Sequence, residues 1–265
     1  MLTESQKERY GRQLVIKAWT PEAQERLSSA AVMMVGAGGL GAPVGYYLTA
    51  AGVGKLIIVD NDIVELSNLN RQILHFTADI GRLKTDSAKE KLVALNPECQ
   101  VETYPVRITP QNAIEMFRKA DLIVDCTDGF TSKYLLNDAA VLSGKTLIHA
   151  GVLAFGGQLM VIQPGSSCLR CIFPEPPPLD FSPPPPRVGI LGAVAGAVGM
   201  MEALEAIKII TGIGEPLVNR MLTFDGIDSK WSEVKAGRNH RCPICGENPT
   251  IRELRETQQA DSASP

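Results

Sequence analysis

The sequence predicts an α/β protein with a mainly parallel β-sheet and an antiparallel extension. Between residues 30 and 150 of the 265-residue chain, short apolar runs alternate with helical patterns, an order typical of parallel sheets. A glycine-rich turn joins the first apolar run to the first helical stretch after it. Beyond residue 155, a short segment alternates apolar and polar residues, which indicates an antiparallel strand added to the sheet.

The first half of the chain supplies most of the predicted elements. The first 27 residues are polar with scattered apolar positions, and they predict one or two short helices packed on the body. A continuous apolar run predicts a buried strand over residues 30–35, a second buried strand is predicted over 55–60, and strand signals recur over 101–106, 121–126 and 146–150. The segments between them predict helices over residues 42–51, 110–119 and 131–142, and a helix that opens near Gly81 and is stopped by Asn96 and Pro97.

The second half is less regular. Residues 156–163 and 217–224 predict strands, and residues 191–211 predict a helix in which Gly192 and Gly196 are spaced for close packing against a neighbour. Residues 174–186 hold eight of the 18 prolines, which excludes a helix or a central strand and predicts a stiff, extended surface segment. We expect the polar tail over residues 256–265 to be frayed.

Composition and charge exclude several classes of function. The 26 basic and 29 acidic side chains give a net charge of −3, whereas nucleic-acid-binding proteins carry a basic excess. The N-terminus has no apolar signal segment. The longest uncharged apolar run covers 14 residues, 188–201, and a membrane span needs about 18. We therefore expect a cytoplasmic protein with no nucleic-acid or membrane partner.

The glycine-rich turn predicts a nucleotide site. It has the pattern G-x-G-x-x-G between a strand and a helix, and its glycines are Gly36, Gly38, Gly39 and Gly41. Glycines allow the tight turn and let backbone N–H groups approach a phosphate or ribose. Asp60 ends the next predicted strand, where its carboxylate can accept hydrogen bonds from ribose hydroxyls. The alternative is a purely structural turn beside a solvated aspartate.

Charged residues near this turn favour a triphosphate. An NAD-dependent dehydrogenase would share the turn and Asp60, but Arg71 and Lys84 follow that strand, and two cations suit a departing pyrophosphate better than a nicotinamide. Asp128 follows another buried strand whose end converges on the same crevice, and its carboxylate is a candidate Mg²⁺ ligand. The alternative is that Asp128 caps the next helix, and the two roles are compatible. Asp125, in the same stretch, is the candidate for a structural acid.

Four of the six cysteines form two Cys-x-x-Cys pairs separated by 70 residues: Cys168 with Cys171, and Cys242 with Cys245. In a reducing compartment, paired cysteines favour a metal over a disulfide. The two pairs are half-sites that must meet in space, where four thiolates make a closed, structural zinc site. The alternatives are redox chemistry and four unrelated cysteines. We expect Cys99 and Cys126 to be small core residues.

Together these residues resemble the MoeB/ThiF/HesA family of adenylyltransferases, in the ubiquitin-activating-like superfamily. The resemblance runs almost from end to end and also includes residues 9–13, 51–54, 67–72, 81–84, 96–97 and 202–208. It implies a Rossmann-like sheet with a structural zinc knuckle. It also implies one adenylation domain over residues 1–250, with a nucleotide-binding half over about 28–150 and a carrier-binding and zinc half over about 151–250. Residues 251–265 form the polar tail.

The activity that the resemblance implies is ATP-dependent adenylation of a ubiquitin-like sulfur-carrier protein at its C-terminal Gly-Gly, with release of pyrophosphate. The family pattern assigns the ribose to Asp60, with Asp62 in the same motif, and the phosphates to Asn68, Arg71 and Lys84. It assigns Mg²⁺ to Asp128 and structural Zn²⁺ to the four paired cysteines. Arg12 matches an arginine that reaches into the partner subunit's site, which implies a homodimer.

The sequence departs from this family at three places. Many relatives carry a cysteine in a loop that crosses over the carrier's tail, but the corresponding residues 181–189 contain none. We therefore predict no thioester or persulfide on this loop, and a separate sulfur donor such as a cysteine desulfurase or a rhodanese-like protein, since no rhodanese-like extension is seen after the zinc knuckle. Gly129 and Lys133 stand where the family often has asparagine and arginine.

Three other functions remain as alternatives. An NAD-dependent dehydrogenase would not use the cations, Asp128 and the cysteine pairs together. A non-enzymatic zinc-knuckle module would not need the glycine turn. An adenylating enzyme that acts on a peptide or on modified tRNA would share the nucleotide site. The pathway also stays open between molybdopterin, thiamine and related sulfur-transfer routes.

Overall fold

The fold is described from a computed structural model, which covers residues 2–178 and 189–255. The proline-rich stretch from residue 179 onward, nearly all of the cysteine-free loop 181–189 and the tail predicted to be frayed lie outside these residues. The described prolines of this stretch, Pro174 and Pro176 to Pro178, lie in neither a helix nor a strand, as predicted.

The described chain contains eight strands and nine α-helices. The strands are β1 (Ala31–Val35), β2 (Lys55–Val59), β3 (Gln100–Tyr104), β4 (Leu122–Asp125), β5 (Thr146–Leu153), β6 (Gly156–Ile162), β7 (Arg220–Asp225) and β8 (Lys230–Lys235). The helices are α1 (Glu4–Arg9), α2 (Gly11–Leu14), α3 (Pro21–Ser29), α4 (Gly41–Ala51), α5 (Lys84–Leu95), α6 (Ala113–Phe117), α7 (Phe130–Ser143), α8 (Leu169–Ile172) and α9 (Gly192–Thr211). Two short 3₁₀ helices, Leu66–Asn68 and Thr77–Asp79, precede α5.

All eight strands form one sheet in the order β3-β2-β1-β4-β5-β6-β7-β8. The five strands β1 to β5 are parallel, and β6, β7 and β8 continue the sheet in antiparallel fashion. The prediction of a mainly parallel sheet with an antiparallel extension is therefore confirmed. The chain moves outward in one direction from β1 to β3 and then in the other from β4, so the order reverses between β1 and β4. In open α/β sheets, ligands bind at the carboxyl ends of the strands at this switch point.

The sheet separates two apolar layers, because successive side chains of a strand point to opposite faces. Val32 and Met34 of β1 pack in one layer, with apolar residues of α3, α4, α5 and α9. Met33 and Val35 pack in the other, with α6, α7 and the cysteine-bearing segments. The continuous apolar runs of the sequence are thus explained by burial on both faces.

Several element boundaries differ from the sequence-based prediction. The N-terminal region forms three helices rather than one or two, because Thr20 accepts a hydrogen bond from Ala23 N and Pro21 opens α3. The helix predicted to open near Gly81 begins at Lys84, since Gly81 has φ of 88° and belongs to the preceding turn. Strand β8 was not predicted, because nearly all of its residues are exposed and its sequence carries no apolar alternation.

Helix α9 packs closely against the loops that surround the strand ends. A Cβ atom on Gly192 would lie 2.4 Å from Asn70 O, and one on Gly199 would lie 2.5 Å from Leu40 O. Gly196, which the sequence suggested as the second contact, has open space at this position, so that prediction was wrong. None of the described helices, α9 included, is long and apolar enough to cross a membrane.

Candidate functional site

A cavity of about 930 Å³ lies at the switch point, where β1, β2 and β4 end. It is lined by most of the residues that the sequence singled out for the nucleotide: Gly36, Gly38, Gly39, Asp60, Asp62, Asn68, Arg71, Lys84 and Asp128. Gly41 and Arg12 are not part of its wall. The topology therefore brings together side chains that are up to 92 positions apart in the sequence, counted from Gly36 to Asp128.

The glycine turn has two glycines required by packing and two that face the cavity. Gly36 has φ of 99°, and a Cβ atom there would lie 2.6 Å from Cys126 O. A Cβ atom on Gly41 would lie 2.1 Å from Gly36 O, so Gly41 closes the turn from beneath. The N–H groups of Gly38 and Gly39 have no hydrogen-bond partner among residues 2–178 and 189–255. At the N-terminus of α4, such free donors are suited to an anion.

Asp60 holds the turn in place. Its Oδ2 accepts a hydrogen bond from Ala37 N at 2.7 Å, and its Oδ1 accepts one from Asp62 N at 2.8 Å. The sequence indicated only a ribose acceptor at this position. A carboxylate has lone pairs beyond these two bonds, so both functions fit the same side chain.

Two cations that follow β2 line the cavity, Arg71 in the loop and Lys84 at the start of α5. Arg71 Nη1 donates to Ser67 O at 2.9 Å and to Asn70 Oδ1 at 3.1 Å, and no acidic side chain of the described chain pairs with the guanidinium. Lys84 is almost fully buried, and its Nζ lies 2.9 Å from Asp62 Oδ2. Arg71 is therefore available for an anion, whereas Lys84 is already held by Asp62.

Asn68 stabilises the loop after β2 through a hydrogen bond inside the loop. It is buried, and its Oδ1 accepts a hydrogen bond from Glu65 N at 3.1 Å. This closes the first 3₁₀ turn and fixes the start of the segment that carries Arg71.

Three residues of the segment from Arg71 to His75 lie beside three successive residues of the glycine turn. His75 Nε2 lies 2.8 Å from Ala37 O, Gln72 Nε2 lies 3.5 Å from the Cβ position of Gly38, and Arg71 Cγ lies 3.7 Å from that of Gly39.

The side chain of His75 is buried next to the glycine turn. Burial lowers its pKa, so the ring is neutral at physiological pH. Its Nε2–H then donates to Ala37 O while its Nδ1 accepts from Ser87 Oγ at 2.8 Å. Sequence analysis included Gln72 in the family motif over residues 67–72 but gave it no role, and it did not identify His75.

The two acids after β4 have different environments. Asp125 is fully buried, and burial alone would oppose its ionisation. The charge of Lys133 and hydrogen bonds from His149 and Thr127 outweigh that effect and hold the pKa of Asp125 at about 2. Asp128 is exposed and forms no hydrogen bond or ion pair with any described residue. The N-cap of α7 is Gly129, so the alternative that Asp128 caps this helix was wrong.

A polar cluster lies beneath the cavity floor around Asp125. Lys133 Nζ donates to Ala150 O at 2.5 Å and lies 3.4 Å from Asp125 Oδ2. His149 Nδ1 lies 2.9 Å from the same oxygen, and burial lowers the pKa of this histidine. Glu202 of α9 is also fully buried, and burial together with the charge of Asp125 raises its pKa well above the ordinary value. The surroundings therefore favour the charged form of Asp125 and oppose ionisation of Glu202.

The two cysteine pairs meet in space. The Sγ atoms of Cys168, Cys171, Cys242 and Cys245 all lie within 4.8 Å of one another, and four of the six separations are 3.3–3.9 Å. A tetrahedral zinc site with Zn–S bonds of about 2.3 Å has sulfurs about 3.8 Å apart, whereas a disulfide needs about 2.05 Å. The donor set thus fits a closed zinc site, and Cys99 and Cys126 are buried core residues, as predicted.

Hydrogen bonds and an ion pair connect the cysteine cluster to α7. Leu169 N donates to Asn137 Oδ1 at 2.8 Å, and Arg170 forms a buried, bidentate ion pair with Asp138, with both bonds at 2.8 Å. Tyr134 Oη donates toward the carbonyl oxygens of Phe173 and Glu175. The same helix starts at the cavity, so it joins the cysteine cluster to the candidate nucleotide site.

Arg12 lies on the short helix α2, away from the cavity. Its side chain is exposed and forms no hydrogen bond or ion pair with the described residues. Within one copy of the chain, Arg12 is therefore not brought to the site.

Comparisons with known proteins give the family and the fold to which the chain is similar. The ThiF family model matches residues 10–244. A sulfur carrier protein adenylyltransferase of Thermus thermophilus is 45% identical over 258 residues, covering 95% of each chain. The maize adenylyltransferase and sulfurtransferase MOCS3-1 is 44% identical over 92% of this chain, which spans only 53% of the maize protein. A crystal structure of E. coli MccB with AMPCPP and SeMet MccA superposes with a TM-score of 0.80 at 26% identity, covering 90% of this chain and 74% of that chain.

Proposed function

The chain belongs to the ThiF family of adenylyltransferases, and from that premise we propose that it uses ATP to adenylate the C-terminal glycine of a ubiquitin-like sulfur-carrier protein. The observation that carries the proposal is the cavity at the switch point. It combines unpartnered N–H groups at Gly38 and Gly39 with the guanidinium of Arg71 and the free carboxylate of Asp128. Donors and cations of this kind suit a triphosphate.

In the proposed reaction, a carboxylate oxygen of the carrier's last glycine attacks the α-phosphorus of ATP. The bond from that phosphorus to the bridging oxygen breaks, its electron pair leaves with pyrophosphate, and an acyl-adenylate remains. Arg71 and Lys84 neutralise charge on the phosphates, the turn at Gly38 orients them, and Asp60 holds the ribose. Such in-line chemistry depends on positioning and charge neutralisation and needs no protein nucleophile.

Two metal ions fit the residues present. Asp128 would hold Mg²⁺, because its carboxylate is unpaired at the cavity and oxygen ligands suit this ion. Mg²⁺ would supply charge neutralisation at the phosphates. The four-cysteine cluster would hold Zn²⁺ in a closed, structural role, since all four ligand positions come from the chain.

We also propose a homodimer in which Arg12 serves the partner's cavity. Arg12 is exposed, has no hydrogen-bond or ion-pair partner among residues 2–178 and 189–255, and does not line the cavity of its own chain, and these observations support this role. Mixing inactive Arg12→Ala and Lys84→Ala proteins should restore about a quarter of wild-type activity, because half of randomly paired dimers would then hold one intact site of two. A mixture that stays inactive after subunit exchange would mean that Arg12 does not act across the dimer.

The remaining assignments follow from the same proposal. Residues 1–250 act as one adenylation domain, in the cytoplasm, where the thiols stay reduced. A separate cysteine desulfurase or rhodanese-like protein supplies the sulfur. The product carrier serves molybdopterin or thiamine biosynthesis or a related sulfur-transfer route.

The test is ATP–pyrophosphate exchange with zinc-loaded protein and purified carriers that end in Gly-Gly. We expect exchange with at least one carrier and none when its last glycine is deleted. A short peptide serves as a second arm, because an adenylating enzyme that acts on a peptide is an alternative and the chain also shares its fold with MccB bound to MccA. Exchange with the peptide alone would replace the carrier by a peptide substrate, and exchange with neither would refute the proposed function.

A further inference from the structure

Gln72 has an unsatisfied carboxamide in the wall of the cavity. The residue is only 5% exposed, and its Oε1 is enclosed without a hydrogen-bond partner. Its Nε2 also forms no hydrogen bond with any residue of the described ranges, and it lies 3.5 Å from the Cβ position of Gly38. Among the described residues, only the backbone of Gln72 forms hydrogen bonds: its N–H donates to Asn68 O, and its carbonyl oxygen accepts from His75 N.

An unsatisfied buried amide destabilises a fold, because the group loses its hydrogen bonds to water without replacement. Buried Gln24 shows the usual arrangement in this same chain. Its Oε1 accepts hydrogen bonds from Gln13 Nε2 and Trp19 Nε1, and its Nε2 donates to Ala51 O at 3.1 Å. Gln72 therefore differs from a glutamine whose task is to stabilise the core.

The surroundings of Gln72 indicate what would satisfy its Nε2, the donor end of the carboxamide, which lies beside the glycine turn. It lies between Arg71, whose guanidinium has no acidic partner in the described chain, and the free N–H groups of Gly38 and Gly39. All of these groups are donors, and all line the same cavity. A cluster of donors is suited to anionic oxygens, so a carboxamide N–H₂ in its midst has the same natural partner.

We propose that Gln72 is a further nucleotide ligand, whose carboxamide donates a hydrogen bond to an oxygen of the triphosphate held at the glycine turn. This inference rests on the proposed use of ATP, but not on the identity of the carrier. The neighbouring His75 holds Ala37 on the other side of the turn, so the segment from Arg71 to His75 both supports the turn and completes its anion site.

The experiment compares Gln72→Leu with Gln24→Leu, which removes a carboxamide of the same size from a site outside the cavity. Binding of MgATP and of adenosine is measured by calorimetry, and thermal unfolding is followed without nucleotide. Gln72→Leu should bind MgATP about 10- to 100-fold more weakly, as expected for one hydrogen bond to a charged group, and adenosine as well as wild type. Its unfolding temperature should be unchanged or higher, because an unsatisfied amide is replaced by an apolar group. Gln24→Leu should show the reverse: lower stability and unchanged MgATP affinity.

Gln72→Glu gives a second measurement if the leucine variant folds poorly. It keeps the shape but replaces the donor by a negative charge, so MgATP binding should weaken further while adenosine binding is retained. MgATP affinity within about twofold of wild type in both variants would overturn the proposal, and so would an equal loss for adenosine. Wild-type binding of MgATP without carrier-dependent exchange would refute the proposed carrier and leave the result for Gln72 intact. Absence of MgATP binding in wild type would refute both.

Discussion

Replacing Asp128 by alanine should abolish carrier-dependent pyrophosphate exchange and leave the fold nearly unaffected. The side chain is exposed and contacts no described hydrogen-bond partner, so its removal should change the free energy of unfolding by no more than about 0.5 kcal/mol. Loss of a true helix cap would cost about 1 kcal/mol, or roughly 2–4 °C in unfolding temperature for a chain of this length. The exchange rate should fall by at least about 100-fold, the scale for losing one group that stabilises reacting charge.

Asp125→Ala provides the matched comparison, three residues earlier. This carboxylate is fully buried and pairs with Lys133, His149 and Thr127. Its removal leaves the Lys133 charge buried without its acid, which costs about 3–5 kcal/mol and lowers the unfolding temperature by about 10 °C. The same substitution should thus affect mainly stability at one position and only activity at the other.

The assay pairs thermal unfolding with pyrophosphate exchange for both variants under identical zinc loading. Near-normal exchange by Asp128→Ala would refute its proposed contact with Mg²⁺ and phosphates. A loss of several degrees in the same variant would show that the carboxylate supports α7 after all. If Asp125→Ala kept wild-type stability, the buried cluster would not have the energetic role that its burial and contacts predict.

Other consequences of the structure can be tested in the same preparation. Zinc removal by a strong chelator, or Cys242→Ser, should lower the unfolding temperature by several degrees and reduce the bound metal from one ion per chain. Unchanged stability would show that the metal bound by the cysteine cluster does not stabilise the fold. Neutral His149 has a lowered pKa, so the unfolded chain binds its proton first, and stability should fall as the pH drops below about 6.5. His149→Gln should reduce that slope in urea titrations between pH 5 and 7, and an unaltered slope would exclude this histidine as its source. No band sensitive to dithiothreitol should link the chain to its carrier on a non-reducing gel, since Cys99 and Cys126 are both buried; such a band would contradict the absence of a thioester.

The parallel part of the fold and most of the cavity wall could be predicted from local sequence. The strands that form the core are continuous apolar runs, and the glycine turn follows the first of them. The residues at the ends of β2 and β4 then converge by topology alone, as Asp60 and Asp128 do. The edge strand β8 could not be predicted in this way, because it is exposed and its stability comes from its pairing with β7.

The residues that sequence analysis missed act through contacts that no local pattern records. Gly199 is required because α9 passes close to Leu40, far away in the chain. Lys133 was noted only as a departure from arginine, and the structure pairs it with Asp125 and Ala150. The buried carboxamide of Gln72 has no hydrogen-bond partner among the described residues, and this is visible only from the three-dimensional arrangement of its neighbours.

Helix α7 also sets the distance between the cysteine cluster and the candidate nucleotide site. Gly129 borders the cavity, and nine residues later Asp138 forms an ion pair with Arg170, which lies beside the cysteines. The distance from Gly129 to Asp138 is about 13 Å along the helix axis. One inserted residue would lengthen this span by about 1.5 Å and turn Asp138 by about 100°, away from its arginine. Length changes in this helix are therefore tolerable only near whole turns. A zinc knuckle transplanted from a relative would function only with an α7 segment of matching length.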